Sequence, residues 1–393
     1  MNSSLLSKNI QEFIAKNTGT SLTRLALQKN PFPEVDWILI LNQIEAKTKA
    51  KDKLPTWFST ENIIYPSKIS VEQTSSEKTA AYKASLISGK SLIDLTGGFG
   101  VDDYYFSKRF EKVAHCEINK NLSEIVKHNF EQLLVTNCDF FADDSTNVLT
   151  ELNQKWDWIY IDPSRRNDAK GKVFMLKDCL PNVPELLNFY FEKTDSILIK
   201  TAPLLDLSAG LSELNFVKNI HIIALENELQ ELLFEIHNYY TGEITIKTAN
   251  ILKDKIETFE FILGSDKDFP SYDVPQKYLY EPNSAIMKSG GFDEVSSIFK
   301  INKLHKHSHL YTSEELIAFP GRTFEIEKVI SYNKNDMKTE LLNQQANITT
   351  RNFPDTVENI RKKWKIKNGG NLYCFFTTDK NDNKIVLICR KIT

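Results

Sequence analysis

Apolar and polar positions along this chain repeat on two different periods. Near the start, NIQEFIAKN and WILILNQIEAKTKAK carry apolar residues every three to four positions. That spacing predicts amphipathic helices, with Pro31 and Pro33 in the turn between them. From Ser91 to about Leu263 the pattern changes. Short apolar runs, SLIDLT, KVAHCEI, VTNCDFFA, WDWIYID, SILIKTA and NIHIIALE, read as strands. Between them lie VDDYYFSKRF, NKNLSEIVKHNFEQL, TNVLTELNQK, CLPNVPELLNFYFEK and DLSAGLSEL, which read as helices. Strands that alternate with helices predict an α/β fold with a doubly wound, mostly parallel sheet. GEITIKTANI and TFEFILG are joined by a short polar link. They predict a hairpin that places a final antiparallel strand.

Two boundaries frame this region. Ahead of it, Ser75 or Ser76 can cap a helix, SEKTAAYKASLIS, leading into the first strand. Behind it, DKDFPSYDVP is rich in Pro and Asp. The remainder, with strands FEIEKVISY, NLYCFFTT and KIVLICRKI and a helix in TRNFPDTVENIRKKWKI, predicts small α+β modules. The expected domains are an N-terminal helical segment (1–75), a catalytic-type α/β domain (76–265), a small segment (272–318) and a C-terminal module (319–393). The stretch from Lys51 to Lys68 mixes Lys51, Lys53, Trp57, Tyr65 and Lys68, which can mark a nucleic-acid contact, but packing of Trp57 and Tyr65 onto the next domain is the favoured expectation.

Composition excludes more than it selects. No run of 18 or more apolar residues is present, so no membrane-spanning helix is expected. The opening residues lack a continuous apolar stretch, so no secretory signal is expected either. The five cysteines are scattered, with no C-x-x-C spacing. They fit free buried thiols in a reducing cytoplasm. His305, His307 and His309 alternate, but no Cys or carboxylate completes a set, so no metal is expected. The formal charge of −3 hides an asymmetry. From Phe319 onward fourteen Lys and Arg face eight Asp and Glu, an excess of six positive charges over a body that is otherwise acidic. A basic tail suggests an anionic partner.

The stretch SLIDLTGGFG carries the first candidate chemistry. A strand ending at Asp94 runs through Thr96 into Gly97, Gly98 and Gly100 and then into a helix. Such a turn lets backbone N–H groups approach an anionic or polar ligand closely. Glu117 ends the second strand, about 20 residues on, where an acidic side chain can accept both hydroxyls of a ribose. After the third strand Asp144, followed by Ser145, or alternatively Asp143, can accept an adenine amino group; either can equally be a helix N-cap. WDWIYIDPSRR puts Asp162 and Pro163 at the carboxyl end of the fourth strand, where ligands bind in doubly wound sheets. Arg165 and Arg166 follow, suited to a phosphate or to internal carboxylates. Lys200 ends the next strand at the same edge.

The pattern D-L-T-G-G-F-G resembles motif I of the class I S-adenosylmethionine (SAM) methyltransferases. D-P-S-R resembles their D/N-P-P-Y motif IV, without the aromatic that stacks on a flipped base. With LPTWF, EQTSSEKTAAYK, KTAPLLDL and KWKIKNGGNLYCFFTT, the chain resembles a bacterial family of class I methyltransferases with a THUMP-like C-terminal domain. The resemblance implies a Rossmann-like sheet of seven strands, one reversed, and a ferredoxin-like segment at about 272–318. It implies SAM held by Asp94, Thr96, Gly97, Gly98, Gly100, Glu117, Ile118, Asp144, Ser145 and Asp162, with Asp162, Pro163 and Arg165 at the reaction. Substrate contacts would come from Arg165, Arg166 and Lys200, and the substrate would be RNA, tRNA or rRNA. Arg361, Lys362, Lys363, Lys365 and Lys367 around Trp364 would add phosphate contacts and a base-stacking ring. The competing readings are a small-molecule methyltransferase and an RNA-binding protein with a degenerate core.

Overall fold

The computed structural model describes residues 3–165, 175–265 and 269–392. The chain forms two units, one of residues up to Ile220 with Gln230–Gly242, the other of His221–Leu229 with residues from Glu243 onward.

The first unit is built on parallel strands. β1 (Ser91–Asp94) lies between β2 (Lys112–Cys116) and β4 (Trp158–Ile161), all three parallel. β3 (Cys138–Phe141) pairs with β2, and β5 (Ser196–Thr201) pairs with β4, again in parallel. Leu92, Ile93, Val113, Ile159, Ile197 and Leu198 are all solvent-free, as strands covered on both faces require. β6 (Val217–Leu225) follows, and β7 (Glu228–His237) runs antiparallel to β5, from Ser196↔His237 to Thr201↔Leu232. Among the described residues the sheet has nine strands, of which these seven follow in the order β6-β7-β5-β4-β1-β2-β3. The doubly wound architecture is therefore present, with β7 reversed among these seven strands.

The expected antiparallel hairpin is present at the end of this sheet, and a further reversed strand, unmarked in the sequence pattern, precedes it. This further strand is Glu228–His237, entered through Glu226 and Asn227, both at positive φ (50° and 66°). Residues Glu231–Ile236 are all buried, so the strand lacks the alternation that marks a half-exposed one, and its two buried glutamates mask its apolar character.

The helical N-terminal stretch contains Lys8–Asn17, Trp37–Lys53, Lys68–Gln73 and Glu77–Leu86. Trp57 and Tyr65 bury almost completely in one cluster with Phe99, Tyr104, Val126 and Phe130. The Trp57 and Tyr104 rings meet edge-on at 4.9 Å. Each such aromatic contributes about 1.5–3 kcal/mol by leaving water, so these rings fasten the helices to the turn after β1.

In the second unit, β8 (Thr245–Ile251) and β9 (Ile256–Ile262) form an antiparallel hairpin. A separate sheet follows, with β10 (Tyr278–Pro282) between β11 (Tyr311–Ser313) and β12 (Gly321–Ser331). β13 (Asn347–Thr350), β14 (Leu372–Thr378) and β15 (Lys384–Lys391) extend it beyond β12, and the two-residue strand Asn302–Lys303 pairs with β11 to make seven among the described residues. The helix Val357–Trp364 packs Ile360 and Trp364 into this module's core. Trp364 is 7 % exposed, so it is a core residue and not a free base-stacking ring. Its i, i+4 spacing from Ile360 explains why: both sit on the buried face of one amphipathic helix. Arg361 is likewise tied down, to the carbonyls of Ala346 and Ile366 and to Asn368.

Candidate active site

The carboxyl ends of β1, β2 and β4 bring the sequence-marked residues to one rim of the first unit. Asp94 is buried, and its Oδ1 accepts from the Thr96 N–H (2.7 Å) and the Thr96 hydroxyl (3.0 Å). The Thr96 Oγ1 in turn accepts the backbone N–H of Asp162 at 2.7 Å. The turn after β1 and the turn after β4 are thus joined through one hydroxyl. Gly97 donates to the Cys116 carbonyl (2.8 Å), and a Cβ there would lie 2.2 Å from the His115 ring. Only glycine permits that approach.

Gly98 faces the rim. Its φ is +54°, and around it the nearest atom to an added Cβ is a backbone oxygen 3.7 Å away. Its N–H donates to Glu117 Oε2 (3.1 Å), while Glu117 Oε1 accepts from the Asn119 N–H (2.8 Å). A carboxylate offers about four acceptor positions, so both oxygens of Glu117 keep capacity for hydroxyl donors. Ile118 beside it is 71 % exposed, an apolar face without cover. Gly100 precedes the helix Val101–Phe106. An open turn, a half-buried carboxylate and an uncovered aliphatic side chain fit an adenosyl group. Asp144 is the N-cap of the helix Ser145–Leu152 through Thr146 N–H (2.8 Å), whereas Asp143 accepts from the Asp144 N–H (2.6 Å).

Asp162 meets Lys200, with Oδ2 and Nζ 2.5 Å apart. Lys200 is therefore the ion-pair partner of Asp162, and the Asp162 Oδ1 has no partner among the described residues. Burial works to lower the Lys200 pKa, but the carboxylates of Asp162, Asp102 and Glu231 outweigh it and hold the ammonium above its ordinary value. Pro163 is buried, and Ser164–Arg165 pairs with Cys179–Leu180. The side chain of Arg165 and all of Arg166 lie outside the described residues.

Behind the rim lies a cluster that the sequence does not announce. Lys83, on the helix Glu77–Leu86, is wholly buried between Asp102 (3.1 Å) and Glu231 (2.9 Å). Ser75 and Tyr160 hydroxyls also donate to Asp102, at 3.0 and 2.8 Å. Burial alone would raise the Asp102 pKa, yet Lys83, Lys200 and the Tyr160 hydroxyl hold it below the ordinary carboxylate value. A second buried pair, Asp103 and His115 (2.7 Å), sits against the glycine turn. Burial raises the Asp103 pKa, reinforced by Asp102, and burial lowers that of His115. Asp102 and Asp103 stand in the VDD that follows the glycines; their signal is a carboxylate pair at the start of an otherwise apolar helix. Burial and the charge of Lys200 also bring Lys53 down to about 8. It donates to the Glu72 carbonyl (2.5 Å).

The described residues contain no group of three or more His, Cys, Asp or Glu that could hold a metal. All five cysteines are free. No described helix is long and apolar enough to cross a membrane.

The chain resembles a known protein over its whole length. The whole chain aligns with 99 % of a crystallised protein of Porphyromonas gingivalis W83 assigned as a methyltransferase, at 30 % identity and a TM-score of 0.88. Residues 321–391 match a THUMP domain-like family and 278–320 a ferredoxin-like domain family. The chain belongs to the methyltransferases that carry a THUMP-like C-terminal domain. An uncharacterized RNA methyltransferase of Clostridium acetobutylicum is 32 % identical to this methyltransferase over 102 residues. That match spans 26 % of the chain and only 22 % of the relative's length.

Two outcomes follow for the buried cluster of the methyltransferase. Lys83→Met leaves two buried carboxylates facing each other and should cost about 3–5 kcal/mol in urea unfolding at pH 7, with part of the loss recovered on adding Glu231→Gln. Asp102 has a folded pKa below its unfolded value of about 4, so its stabilisation is complete above about pH 4 and fades as pH falls through the folded value. The stability gap between the wild type and Asp102→Asn should therefore be level from about pH 5 to 8 and close in stronger acid, as read from denaturant midpoints.

Proposed function

We propose that the protein transfers a methyl group from S-adenosylmethionine to a base of RNA, with tRNA or rRNA as the substrate, in the cytoplasm. The observation that carries this reading is the Asp94–Thr96–Asp162 link. It couples the turn suited to an adenosyl group to the corner suited to an acceptor atom. Membership of the methyltransferase family supports the reaction class. The THUMP-like match and the named RNA methyltransferase relative support RNA as its target.

In this reading Asp94, Thr96, Gly97, Gly98 and Gly100 form the cofactor turn. Glu117 takes the ribose hydroxyls, Ile118 covers the adenine face, and Asp144 with Ser145 lies at its amino edge. Asp143 is the competing choice, because Asp144 already caps its helix. When bound, SAM supplies an electrophilic methyl carbon on a sulfonium. The chain's own residues position the acceptor. Lys200 holds one oxygen of Asp162, and the other is left to accept an N–H or O–H of the base, fixing its approach. Pro163 keeps this corner rigid. Arg165 and Arg166 bind phosphate on the substrate side. The domain reading is a helical segment at 1–75, the catalytic domain at 76–265, a ferredoxin-like segment at 272–318 and the THUMP-like domain at 319–393.

Two variants divide the labour. Glu117→Ala should weaken SAM binding at least about tenfold by calorimetry, because it removes charge-assisted acceptors for the ribose. Asp162→Ala should leave SAM affinity within about threefold but lower the transfer rate by about a hundredfold or more, because it removes the group that orients the acceptor. The reaction is followed with labelled SAM and RNA from cells lacking the protein. Absence of SAM binding at high micromolar concentration, or of label in any RNA, would contradict the proposal.

A further inference from the structure

The second unit contains a cleft of about 390 Å3. Its wall includes Glu281, Ser284, Lys288, Arg322, Arg351 and Asn227. Glu281, near the end of β10, is buried and accepts from two arginines. Arg322 Nε donates to its Oε2 at 2.7 Å, with a second bond from the same guanidinium, and Arg351 donates to its Oε1 at 2.9 Å. Both oxygens of this carboxylate are therefore engaged by the arginines.

The donors are not saturated in return. Arg351 Nε and Ser284 Oγ are both buried and neither has a hydrogen-bond partner. An unmet buried donor is costly, and native structures leave few of them. Lys288 on the same wall has no ion-pair partner among the described residues. Three cations thus stand against one carboxylate, an excess of two positive charges around a concave surface. The Ser284 N–H is already taken by Asn227 Oδ1 (2.8 Å), so the unmet donors are side chains, not a helix end. The group that fits carries several oxygens and negative charge, can accept from a guanidinium and a hydroxyl together, and needs no donor of its own. A phosphate meets each condition, and arginine is the side chain best matched to it.

We propose that this cleft is an oxyanion site that holds a phosphate group of the RNA substrate, with Arg351, Ser284 and Lys288 as its donors. The partner named here rests on the RNA reading above; the anion site itself rests on the unmet donors alone. Glu281 acts as a positioning residue that fixes the two guanidinium groups, and Lys288 supplies charge without being needed for folding.

The test uses the full chain in two arms. In the first, inorganic phosphate is titrated at constant ionic strength and the thermal midpoint is followed, since a ligand that binds only the folded state raises it. Wild type should be protected. Lys288→Gln and Ser284→Ala should each weaken phosphate binding at least fivefold, and Lys288→Gln should leave the phosphate-free midpoint unchanged. In the second arm, binding of labelled bulk tRNA is measured across salt concentrations. The slope of log Kobs against log salt should shrink by about one in Lys288→Gln, the signature of one lost phosphate contact. No protection of wild type by phosphate, or equal protection of both variants, overturns the site. Phosphate protection lost in the variants with an unchanged tRNA slope overturns its role in holding RNA. If tRNA is not bound at any salt while the phosphate effect behaves as stated, the RNA reading fails and the anion site stands.

Discussion

One hydroxyl ties the catalytic unit together. Thr96 donates to the buried Asp94 and accepts from the backbone of Asp162, so the turn after β1 and the turn after β4 cannot move independently. The strands that carry them are adjacent and parallel, with Asp94 opposite Tyr160. Register alone brings the two turns near each other. The hydroxyl converts nearness into a fixed relation, and methyl transfer depends on holding donor and acceptor atoms in line. Everything else at the rim is arranged around that constraint: Glu117 braces the glycine turn from one side, and Lys200 braces Asp162 from the other.

The braces have their own support. Lys83 reaches from the N-terminal helices into the space between Asp102 and Glu231, and Tyr160 adds its hydroxyl. A buried ion cluster of this kind adds little net stability compared with apolar packing of the same volume, because desolvation consumes most of the attraction. It is unforgiving when one member is missing. Its consequence here is geometric: a helix ahead of the sheet, the helix after the glycines and the reversed strand β7 are locked to one another. The aromatic cluster of Trp57, Tyr65, Phe99 and Tyr104 supplies the non-directional part of the same attachment.

The legible parts of the sequence were those whose physics is local. Strand β1, its glycines and the Asp-Pro corner are read directly, because apolar runs ending in turn residues are contiguous. The same holds for the helices of the N-terminal stretch. What escaped is non-local or two-faced. Lys83 and Glu231 are 148 positions apart, and a lysine on a polar helix gives no sign that it is buried. β7 is covered on both faces and opens on a turn without glycine, so neither alternation nor turn chemistry marks it. Lys200 was visible as a residue at the right edge, but not as the partner of Asp162. The spacing of Trp364 from Ile360 marks it as a core residue, although the lysines around it give the segment the look of a charged surface.

The central claim is that the Thr96 hydroxyl, and not the bulk of the side chain, couples the two turns. The most direct measurement compares Thr96→Ser with Thr96→Val for SAM affinity by calorimetry and for the single-turnover rate of methyl transfer. The account predicts that Thr96→Ser keeps both within about threefold, whereas Thr96→Val, which is isosteric but cannot hydrogen-bond, loses at least about tenfold in rate. A Thr96→Val protein that transfers methyl groups at the wild-type rate would contradict it.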